Sequence, residues 1–482
     1  MAKLLGIDVG TSGCKVLLVD ERGAILRQAS AEYPLSTPRP GWSEQNPEDW
    51  WNGVVKCLQE IGESSPDAIG LTGQMHGAVF LDENDAVIRP AILWNDQRTV
   101  EECAEIDATF GPENVKAVTC NPPLTGFQAP KLLWLRNHEL SNYQKVRSVL
   151  LPKDYIRLRL TGQKFTEVSD ASGTGLFDVP NRRWATDMMA ALEIDPSLFP
   201  PCAESFVPTA ETLAVAGLSA GIPVVGGGGD QAAAAVGTGA VVPGIVSVSL
   251  GTSGVVFTAI DGPEYDRSGA AHTFCHANGG WHAMGVMLSC AGALRWYRDT
   301  VQPGAAYDAI SSEAATAPLG CDGLTFLPYL SGERTPHNDP LARGAWAGLT
   351  LAHGRQHLAR SIFEGATFGL KEGFDALQKL GARADELRVN GGGSKSAFWL
   401  QMLADVFEVP CTTLAVDEGP AFGAALLAGV GAGVWPDVAA AAAAAVSKKG
   451  RVEPQSPYYS SAYAKYQSLY LATRAWNATN AT

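Results

Sequence analysis

The sequence predicts an α/β protein built from two related halves. In the segment 4–18, an apolar strand-like run ends at a Gly-Thr-Ser-Gly turn and a second apolar run follows, and the segment 244–257 repeats this layout with the same tetrapeptide. Elsewhere, runs of β-branched and aliphatic residues alternate with runs whose apolar residues have helical spacing. A chain of 482 residues is long enough for two large α/β units.

The first half begins with three strands, a helix, a strand and a helix, in that order. Short aliphatic runs at 16–19 and 24–26 predict the second and third strands, and the run at 68–72 predicts the fourth. Between them, the segment 49–62 has apolar residues at helical spacing and predicts a helix.

The two halves are predicted to join at the Val-Val-Pro-Gly segment 241–244, which gives domains at 1–243 and 244–482. Shortly before this join, Pro223 opens a strand that runs into four glycines and then Asp230. An apolar strand that stops at glycines indicates a tight turn, where another group can approach the backbone closely.

The second half continues the alternation of strands and helices. Residues 387–390 predict a short strand that opens onto the glycines 391–393, and residues 398–406 have helical spacing. The alanine-rich run 439–445 predicts a surface helix rather than a disordered segment, because alanine is the best helix former.

The composition excludes several classes of partner. The formal net charge is −14, and no cluster of lysine and arginine offsets it, so nucleic acid and anionic membrane surfaces are not expected partners. The histidines and cysteines show no spacing typical of zinc ligands, and the glycines before Asp230 lack the Gly-x-Gly-x-x-Gly spacing of dinucleotide-binding folds. A bound nucleotide would therefore need local donors and a metal ion.

The cysteines and the N-terminus favour the cytoplasm. The nine cysteines are scattered, odd in number and never in a Cys-x-x-Cys pair, as expected of reduced core residues. The chain starts directly with a strand-like run, without the basic and apolar segments of a secretory signal. No apolar run reaches the length that spans a membrane.

Two aspartates stand where a phosphoryl group could be transferred. Asp8 follows the first strand, directly before the first Gly-Thr-Ser-Gly turn, and Asp230 follows the four glycines. Such turns offer backbone N–H groups and hydroxyls to phosphate oxygens. One carboxylate could hold a metal ion and the other could face a substrate hydroxyl. The alternative is that each segment is only a tight turn between a strand and its neighbour.

Several motifs resemble, in their order along the chain, those of the FGGY carbohydrate kinases, and the resemblance spans nearly the whole chain. The motifs are Asp8-Val9-Gly10-Thr11-Ser12, Trp42-Ser43-Glu44-Gln45, Gly73-Gln74-Met75-His76-Gly77, Trp94-Asn95-Asp96, Gly229-Asp230, Gly251-Thr252-Ser253-Gly254 and Gly391-Gly392-Gly393. Within the family, the blocks 74–77 and 330–337 look most like those of the members that phosphorylate D-xylulose.

The resemblance implies a fold of two ribonuclease-H-like domains, as in actin and hexokinase, with a cleft between them. It implies that the sugar binds mainly to the first half and the nucleotide mainly to the second, and that closure of the cleft brings the two together. These expectations agree with the internal repeat in the sequence.

The same resemblance assigns the two catalytic carboxylates. Asp230 is expected to be the base that accepts the proton of the sugar hydroxyl, and Asp8 is expected to hold Mg²⁺ through water. The structural alternatives are that Asp230 caps the helix that begins at Gln231 and that Asp8 is a turn aspartate. Lys15 could lean toward the phosphates or be a solvated strand lysine, and no role is assigned to it.

On the sugar side, the resemblance implies that Met75, His76, Asp230 and Gln231 contact the substrate. The imidazole of His76 would form a hydrogen bond with a hydroxyl, and the thioether of Met75 would pack on the carbon skeleton. Without the resemblance, a histidine beside a methionine is more often part of an ordinary core.

On the nucleotide side, Thr252 and Ser396 are expected to be polar contacts, and Gly391 and Gly392 are expected to allow close approach of ATP. Further expected contacts are Thr11 in the first turn and Trp296 near the base, although Trp296 could equally be a core tryptophan. The segment 418–425 predicts a loop and a glycine- and alanine-rich helix that packs behind this site.

The sequence therefore predicts an ATP- and Mg²⁺-dependent kinase that phosphorylates D-xylulose. The nearest alternative is a kinase of the same family for another ketose, a polyol or a sugar acid. From other classes, the alternatives are a nucleotide-driven clamp without sugar turnover and a sugar sensor that has lost catalysis, and the presence of both Asp8 and Asp230 argues against them. The oligomeric state is open, with a homodimer as one possible assembly.

Overall fold

The computed structural model describes residues 2–416, 418–455 and 459–479. The strands of the first half are β1 Lys3–Val9, β2 Gly13–Asp20, β3 Ile25–Glu32, β4 Glu44–Gln45, β5 Ala68–Gly73, β6 Val79–Leu81, β7 Ala91–Ile92, β8 Ser148–Leu150, β9 Thr166–Glu167, β10 Phe177–Asp178, β11 Arg183–Trp184, β12 Cys202–Ala203, β13 Pro208–Glu211, β14 Pro223–Val225 and β15 Gly228–Gly229. Its helices are α1 Pro47–Ile61, α2 Val100–Phe110, α3 Pro112–Thr119, α4 Gln128–His138, α5 Leu140–Tyr143, α6 Pro152–Thr161, α7 Val168–Ala171, α8 Thr186–Ala191 and α9 Asp230–Thr238.

The second half follows without a break. Its strands are β16 Gly244–Leu250, β17 Gly254–Ile260, β18 His272–Cys275, β19 Trp281–Met287, β20 Thr325–Leu327, β21 Ala345–Ala347, β22 Ala384–Asn390, β23 Cys411–Leu414 and β24 Lys448–Val452. Its helices are α10 Ala291–Val301, α11 Tyr307–Ala314, α12 Arg355–Gln378, α13 Ala397–Phe407, α14 Gly419–Gly431, α15 Val438–Ala445 and α16 Ser460–Thr479. Within the described ranges, no helix is both long enough and apolar enough to cross a bilayer.

The two halves have sheets of the same topology. The first sheet has the order β13-β14-β5-β1-β2-β3, and the second has the order β18-β19-β17-β16-β22-β23-β24. In each sheet, three strands pair in antiparallel fashion, and two further strands run parallel to the earliest of the three, β1 or β16. The order β3-β2-β1-β5-β14 therefore corresponds to β19-β17-β16-β22-β23. This repeat confirms the fold expected from the sequence, two ribonuclease-H-like domains.

Helix α1 illustrates how local sequence sets the elements of the first half. Asn46 accepts a hydrogen bond from the N–H of Glu48, Pro47 occupies the first turn, and Gly62 ends the helix in the left-handed conformation with φ of 63°. The apolar face of α1, which includes the buried Trp50, packs on one face of the first sheet. The helix predicted at 49–62 is confirmed.

Helices α9 and α14 cross between the two sheets. Although α14 follows the strands of the second sheet along the chain, it packs on β1 and β5 of the first. This approach requires glycine on both strands, since a Cβ on Gly6 or Gly70 would lie 1.9 Å from a carbonyl oxygen of α14. The sequence predicted this helix behind the nucleotide site, and in the structure its small side chains fit against the sheet of the first half.

Helix α15 confirms the surface helix predicted for the alanine-rich run, since Ala439, Ala443 and Ala444 are exposed while the opposite face is buried. Val438, Ala441, Ala442 and Ala445 are buried in a cluster with α14 and the first sheet. Alanine lets this helix lie close to its neighbours, so the same residues that favour the helix also bury one of its faces. The first sheet is thus covered on this face by helices from the later part of the chain.

Candidate active site

Asp8 and Asp230 lie at neighbouring strand ends. Asp8 on β1 is in register with Thr72 on β5, and Thr72 is in register with Gly228 on β15. Asp230 follows β15 directly and is the first residue of α9, whose capping position is Gly229. The alternative in which Asp230 itself caps the helix therefore does not describe its position. The two carboxylates flank the end of β5, as the strand pattern predicted.

The two carboxylates are destabilised by their surroundings. Burial, together with the negative charge of Asp230, raises the pKa of Asp8 to about 7, and the ammonium of Lys15 opposes both effects. Burial also raises the pKa of Asp230 to about 6, while hydrogen bonds from the backbone N–H and the side chain of Gln231 oppose the rise. A carboxylate with this pKa is suited to accept a proton near neutral pH.

Asp8 fits the role of a magnesium ligand. Its Oδ1 is buried without a hydrogen-bond partner, and so is the hydroxyl of the adjacent Thr72. A divalent cation would relieve the repulsion between Asp8 and Asp230, and Mg²⁺ keeps several waters and needs only one or two carboxylates. Within the described ranges no three His, Cys, Asp or Glu side chains are grouped as metal ligands. A site of this kind would therefore rely on water and phosphate oxygens.

Lys15 connects the two halves. It lies on β2 opposite Asp8, and its ammonium forms an ion pair with Glu418, the residue before α14. Both side chains are partly exposed, so the pair contributes little to stability by itself. Its position beside Asp8 still places one positive charge next to the two carboxylates.

Met75 lies against the residue that precedes Asp230. A Cβ on Gly229 would come within 2.9 Å of the Sδ and Cγ atoms of Met75, so only glycine leaves room for this thioether. Met75 is buried. The structure thus brings the predicted apolar contact of the sugar next to the predicted base.

His76 is held as a neutral imidazole. Its Nδ1 lies 2.6 Å from the carbonyl oxygen of Gly173, which can only accept, so the proton is on Nδ1 and Nε2 is left as an acceptor. Burial lowers the pKa of His76 to about 3. The residue has a positive φ of 68°, and Lys131 donates to its carbonyl oxygen at 2.7 Å. His76 can therefore accept a hydrogen bond from a hydroxyl.

Gln231 lies in the gap between the halves. It lines a cavity of about 200 Å³ together with Ser249 and Asn390 of the second sheet and Gly419 of α14. Its backbone and side chain contact the carboxylate of Asp230. The predicted sugar contact is therefore also the residue that links Asp230 to the second half.

Thr11 is already engaged by protein groups. Its hydroxyl accepts the indole N–H of Trp94 at 2.9 Å and donates to Gln74 at 3.1 Å, and its carbonyl accepts from Gln45 at 2.7 Å. These bonds orient the first Gly-Thr-Ser-Gly turn. Any contact of Thr11 with a nucleotide would have to use its backbone N–H or share its hydroxyl.

The second half contains a cleft of about 640 Å³ at the matching turn. Thr252, Gly392 and Ser396, which the sequence predicts as nucleotide contacts, are among its lining residues, and the apolar side of the cleft is formed by Leu294, Phe363 and Trp399. A cleft of this size, apolar with a few polar groups, is typical of a small-molecule site.

The glycines at the edge of this cleft have different roles. A Cβ on Gly392 would meet no atom within 4 Å, so this residue faces open space. Gly391 has a positive φ of 81° and lies against the backbone of Leu250, so it shapes the turn and does not appear among the lining residues. Ser396 caps α13 by accepting the N–H of Trp399.

Of the two alternatives for Trp296, a contact of the base or a core tryptophan, the structure shows the second. Its ring stacks on Phe326 at 6.3 Å and packs on Trp346 at 5.6 Å, in the core of the second half. On α10 the preceding residue, Arg295, lines the cleft instead. One position along a helix turns a side chain by about 100°, which is enough to exchange a core residue for a cleft residue.

Sequence reasoning missed several polar groups that shape the site. Trp94 fixes the first Gly-Thr-Ser-Gly turn through Thr11. Lys131 binds the carbonyl oxygen of His76, and Glu418 pairs with the side chain of Lys15. Trp94 belongs to a motif that the sequence had singled out, but its partner could not be read from local pattern. Lys131 is fully buried. Lysine is usually exposed, so its burial could not be predicted from the sequence pattern.

Comparison with known proteins identifies the family of this chain. Residues 3–237 match the model of the N-terminal domain of the FGGY family of carbohydrate kinases, and residues 246–432 match the model of its C-terminal domain. A xylulose kinase from Escherichia coli is 42% identical over 438 residues, which are 89% of this chain and 90% of that protein.

Solved structures are similar over almost the full length. A crystal structure described as a xyloylose kinase from Brucella ovis has a TM-score of 0.92 and 39% identity, covering 98% of this chain and 100% of that one. A gluconate kinase from Lactobacillus acidophilus has a TM-score of 0.92 and 26% identity, covering 100% of this chain and 99% of that one.

Proposed function

The chain belongs to the FGGY family of carbohydrate kinases, and on that basis we propose that it transfers the γ-phosphoryl group of ATP to the 5-hydroxyl of D-xylulose. The similarity to a xylulose kinase over nine-tenths of that protein supports the choice of sugar. The observation that carries the chemistry is the half-buried pair Asp8 and Asp230 beside Met75, at the ends of neighbouring strands.

In the proposed reaction, Asp230 accepts the proton of the 5-hydroxyl while the oxygen of that hydroxyl attacks the γ-phosphorus, and ADP leaves. The start of α9 keeps this carboxylate fixed at the strand end. His76 accepts a hydrogen bond from another sugar hydroxyl through Nε2, and Met75 packs against the carbon skeleton. These contacts orient the acceptor and exclude water.

The other half of the site receives the nucleotide. Thr252 and Ser396 offer hydroxyls in the cleft of the second half, and Gly392 lets the nucleotide approach the backbone. Asp8 would hold Mg²⁺ through water. When bound, this ion neutralises the charge of the phosphate groups. Lys15, opposite Asp8, adds a further positive charge to the same region.

A coupled assay of ADP release across pentuloses, hexuloses, polyols and sugar acids tests the proposal. We expect D-xylulose to have the highest kcat/KM, and we expect His76→Ala to lose roughly 1–3 kcal/mol of transition-state stabilisation with this sugar. If gluconate or glycerol had a kcat/KM at least tenfold higher, the choice of D-xylulose would be wrong and the family membership would stand.

We further propose a cytoplasmic enzyme. The nine cysteines are all unpaired, the state expected in a reducing compartment. A homodimer is one possible assembly, and sedimentation at two protein concentrations would separate it from a monomer.

A further inference from the structure

The four glycines before Asp230 leave this segment without side chains of its own. Residues 226–229 are all glycine, and Gly227 has a positive φ of 81°. Glycine has the largest conformational freedom of any residue, so a run of four does not fix the backbone that follows it. A general base, however, must stay within hydrogen-bond reach of the proton it removes. Other groups must therefore hold this segment in place.

Arg157 holds the beginning of the segment. This residue of α6 is completely buried, and its Nη2 donates to the carbonyl oxygens of Val225 at 2.6 Å and Gly226 at 2.8 Å. The second nitrogen, Nη1, donates to the hydroxyl of Thr209 on β13 at 2.6 Å, so the planar guanidinium ties the start of the glycine run to a neighbouring strand. Burial of a positive charge is unfavourable unless it has such partners.

Ser169 holds the end of the segment. Its hydroxyl oxygen accepts the N–H of Gly229, the residue before Asp230, at 3.1 Å. The same hydroxyl donates to Oε1 of Glu167 at 2.9 Å, so its direction is fixed from the other side. Ser169 and Glu167 are completely buried.

Glu167 is in turn fixed by further donors. Its carboxylate accepts the backbone N–H groups of Ser169 and Asp170, each at 2.8 Å, and the hydroxyl of Ser205 at 2.5 Å. Ser205 also accepts the N–H of Gly227 through its carbonyl oxygen at 2.7 Å. The polar groups along the glycine run are thus joined to one buried network.

We propose that Arg157, Ser169 and Glu167 are positioning residues that set the location of Asp230. This proposal rests on the proposed role of Asp230 as the base. Arg157 and Ser169 bind backbone groups at the two ends of the glycine run, and Glu167 acts through Ser169 and Ser205, so the three control where the carboxylate stands without touching the substrate. They restrict the backbone conformation of the glycine run, which its own residues do not fix.

Ser169→Ala is the direct test, because it removes the acceptor of the Gly229 N–H while residue 230 remains an aspartate. We expect kcat with D-xylulose to fall by roughly 10–100-fold, since small displacements of a reacting group can lower the rate by about 10²-fold. The KM values for sugar and ATP should stay within about threefold. Single-turnover rates should fall by the same factor as kcat, which locates the defect in the chemical step.

Thr212→Val is the matched control. The hydroxyl of Thr212 accepts the N–H of Ile222 at 3.0 Å and donates to Ser219 at 2.7 Å, so it is also buried and also holds the backbone that leads to β14. Its two partners lie outside the glycine run and are not bonded to Asp230. We expect its loss to lower the unfolding temperature, as the loss of the Ser169 hydroxyl does, but to leave kcat within about twofold of the wild type.

Two further variants complete the test. Ser169→Thr keeps the hydroxyl and should restore most of the lost kcat, whereas a purely structural role would not distinguish it in this way. Arg157→Lys keeps the charge but has one nitrogen in place of the two that donate, and we expect at least about a fivefold lower kcat. This variant is the test if Ser169→Ala does not fold. Wild-type kcat in folded Ser169→Ala or Arg157→Lys would overturn the proposal.

Asp230→Asn, assayed beside these variants, separates the two proposals. If Asp230→Asn lost turnover while Ser169→Ala kept it, the positioning role alone would be rejected. If Asp230→Asn kept wild-type turnover, the assignment of the base, and with it the positioning role, would be rejected.

Discussion

Gly423 on α14 lies directly against the carbonyl oxygen of Ala233 on α9, and a Cβ on residue 423 would come within 1.8 Å of that oxygen. The two helices cross between the sheets, so this contact sets their distance. We expect Gly423→Ala to lower the free energy of unfolding by roughly 1–3 kcal/mol or more, because the helices must move apart. Thermal unfolding measures this effect.

The control for this variant is Gly262→Ala. A Cβ on Gly262 would meet no atom within 4 Å, and we expect an unchanged unfolding temperature. If both variants unfolded at the wild-type temperature, the helix crossing would tolerate a larger spacing than its geometry indicates.

The second prediction concerns the base. Asn at position 230 keeps the shape of the side chain but cannot take up a proton, so binding and chemistry should separate. We expect Asp230→Asn to retain D-xylulose binding within about tenfold while kcat falls by roughly 10²–10⁴-fold. Titration calorimetry and steady-state kinetics measure the two effects. A folded variant with more than about a tenth of wild-type kcat, with chemistry rate-limiting, would rule out Asp230 as the base.

The third prediction concerns pH and Mg²⁺. Asp230, with its pKa raised to about 6, must be deprotonated to act, so kcat/KM should fall about tenfold per pH unit below that value. Asp8, with its pKa raised to about 7, should add a second loss that begins near pH 7 when Mg²⁺ is scarce. Raising the Mg²⁺ concentration favours the charged form of Asp8, so the fall of kcat/KM on the acidic side of the pH profile should shift toward pH 6. If the pH profile of kcat/KM were the same at low and high Mg²⁺ concentrations, the assignment of Asp8 as the Mg²⁺ ligand would be contradicted.

The fourth prediction links Asp8 to stability. Its folded-state pKa of about 7 exceeds the value of 3.8 for an unperturbed aspartate, so the folded state is favoured by protonation. That contribution is fully present below about pH 4 and is lost as pH rises through about 7. In metal-free protein, Asp8→Asn should therefore unfold at a higher temperature than the wild type at pH 8, and this advantage should shrink toward pH 4. Calorimetry at several pH values checks the trend, and an advantage of the same size at both ends would contradict it.

The fifth prediction concerns Gly392, which faces the open cleft of the second half. A methyl group at this position should occupy space needed by the nucleotide without disturbing the fold. We expect Gly392→Ala to raise the KM for ATP by roughly 2–10-fold, with the unfolding temperature and the KM for the sugar unchanged. An unchanged KM for ATP would place the nucleotide away from this turn.

Much of the fold could be predicted because it depends on local signals. Strand β22 and helix α13 follow from residue type and spacing, and the repeated Gly-Thr-Ser-Gly turns reveal the duplication. The same signals placed Asp8 and Asp230 at strand ends. Strand ends in neighbouring positions meet at one edge of a sheet, so the pairing of the two carboxylates also follows from the sequence.

The contacts between distant segments could not be predicted in this way. The crossing of α14 onto the first sheet depends on Gly6, Gly70 and Gly423, which are far apart in sequence and give no periodic signal. Arg157 and Glu167 look like ordinary surface residues in the sequence, yet both are completely buried. The network that they form binds backbone atoms of the glycine run. Every residue has the same backbone atoms, so the sequence does not show which of them form these hydrogen bonds.

Helix α14 also has a consequence for how the protein is made. The first sheet is complete once β15 has been synthesised, but one of its faces is covered by α14 and α15, nearly 200 residues later in the chain. During synthesis that apolar face stays uncovered until the second half has emerged from the ribosome, at the stage when exposed apolar surface favours aggregation. The burial of this face therefore depends on residues of the second half, and the first half alone would leave it exposed.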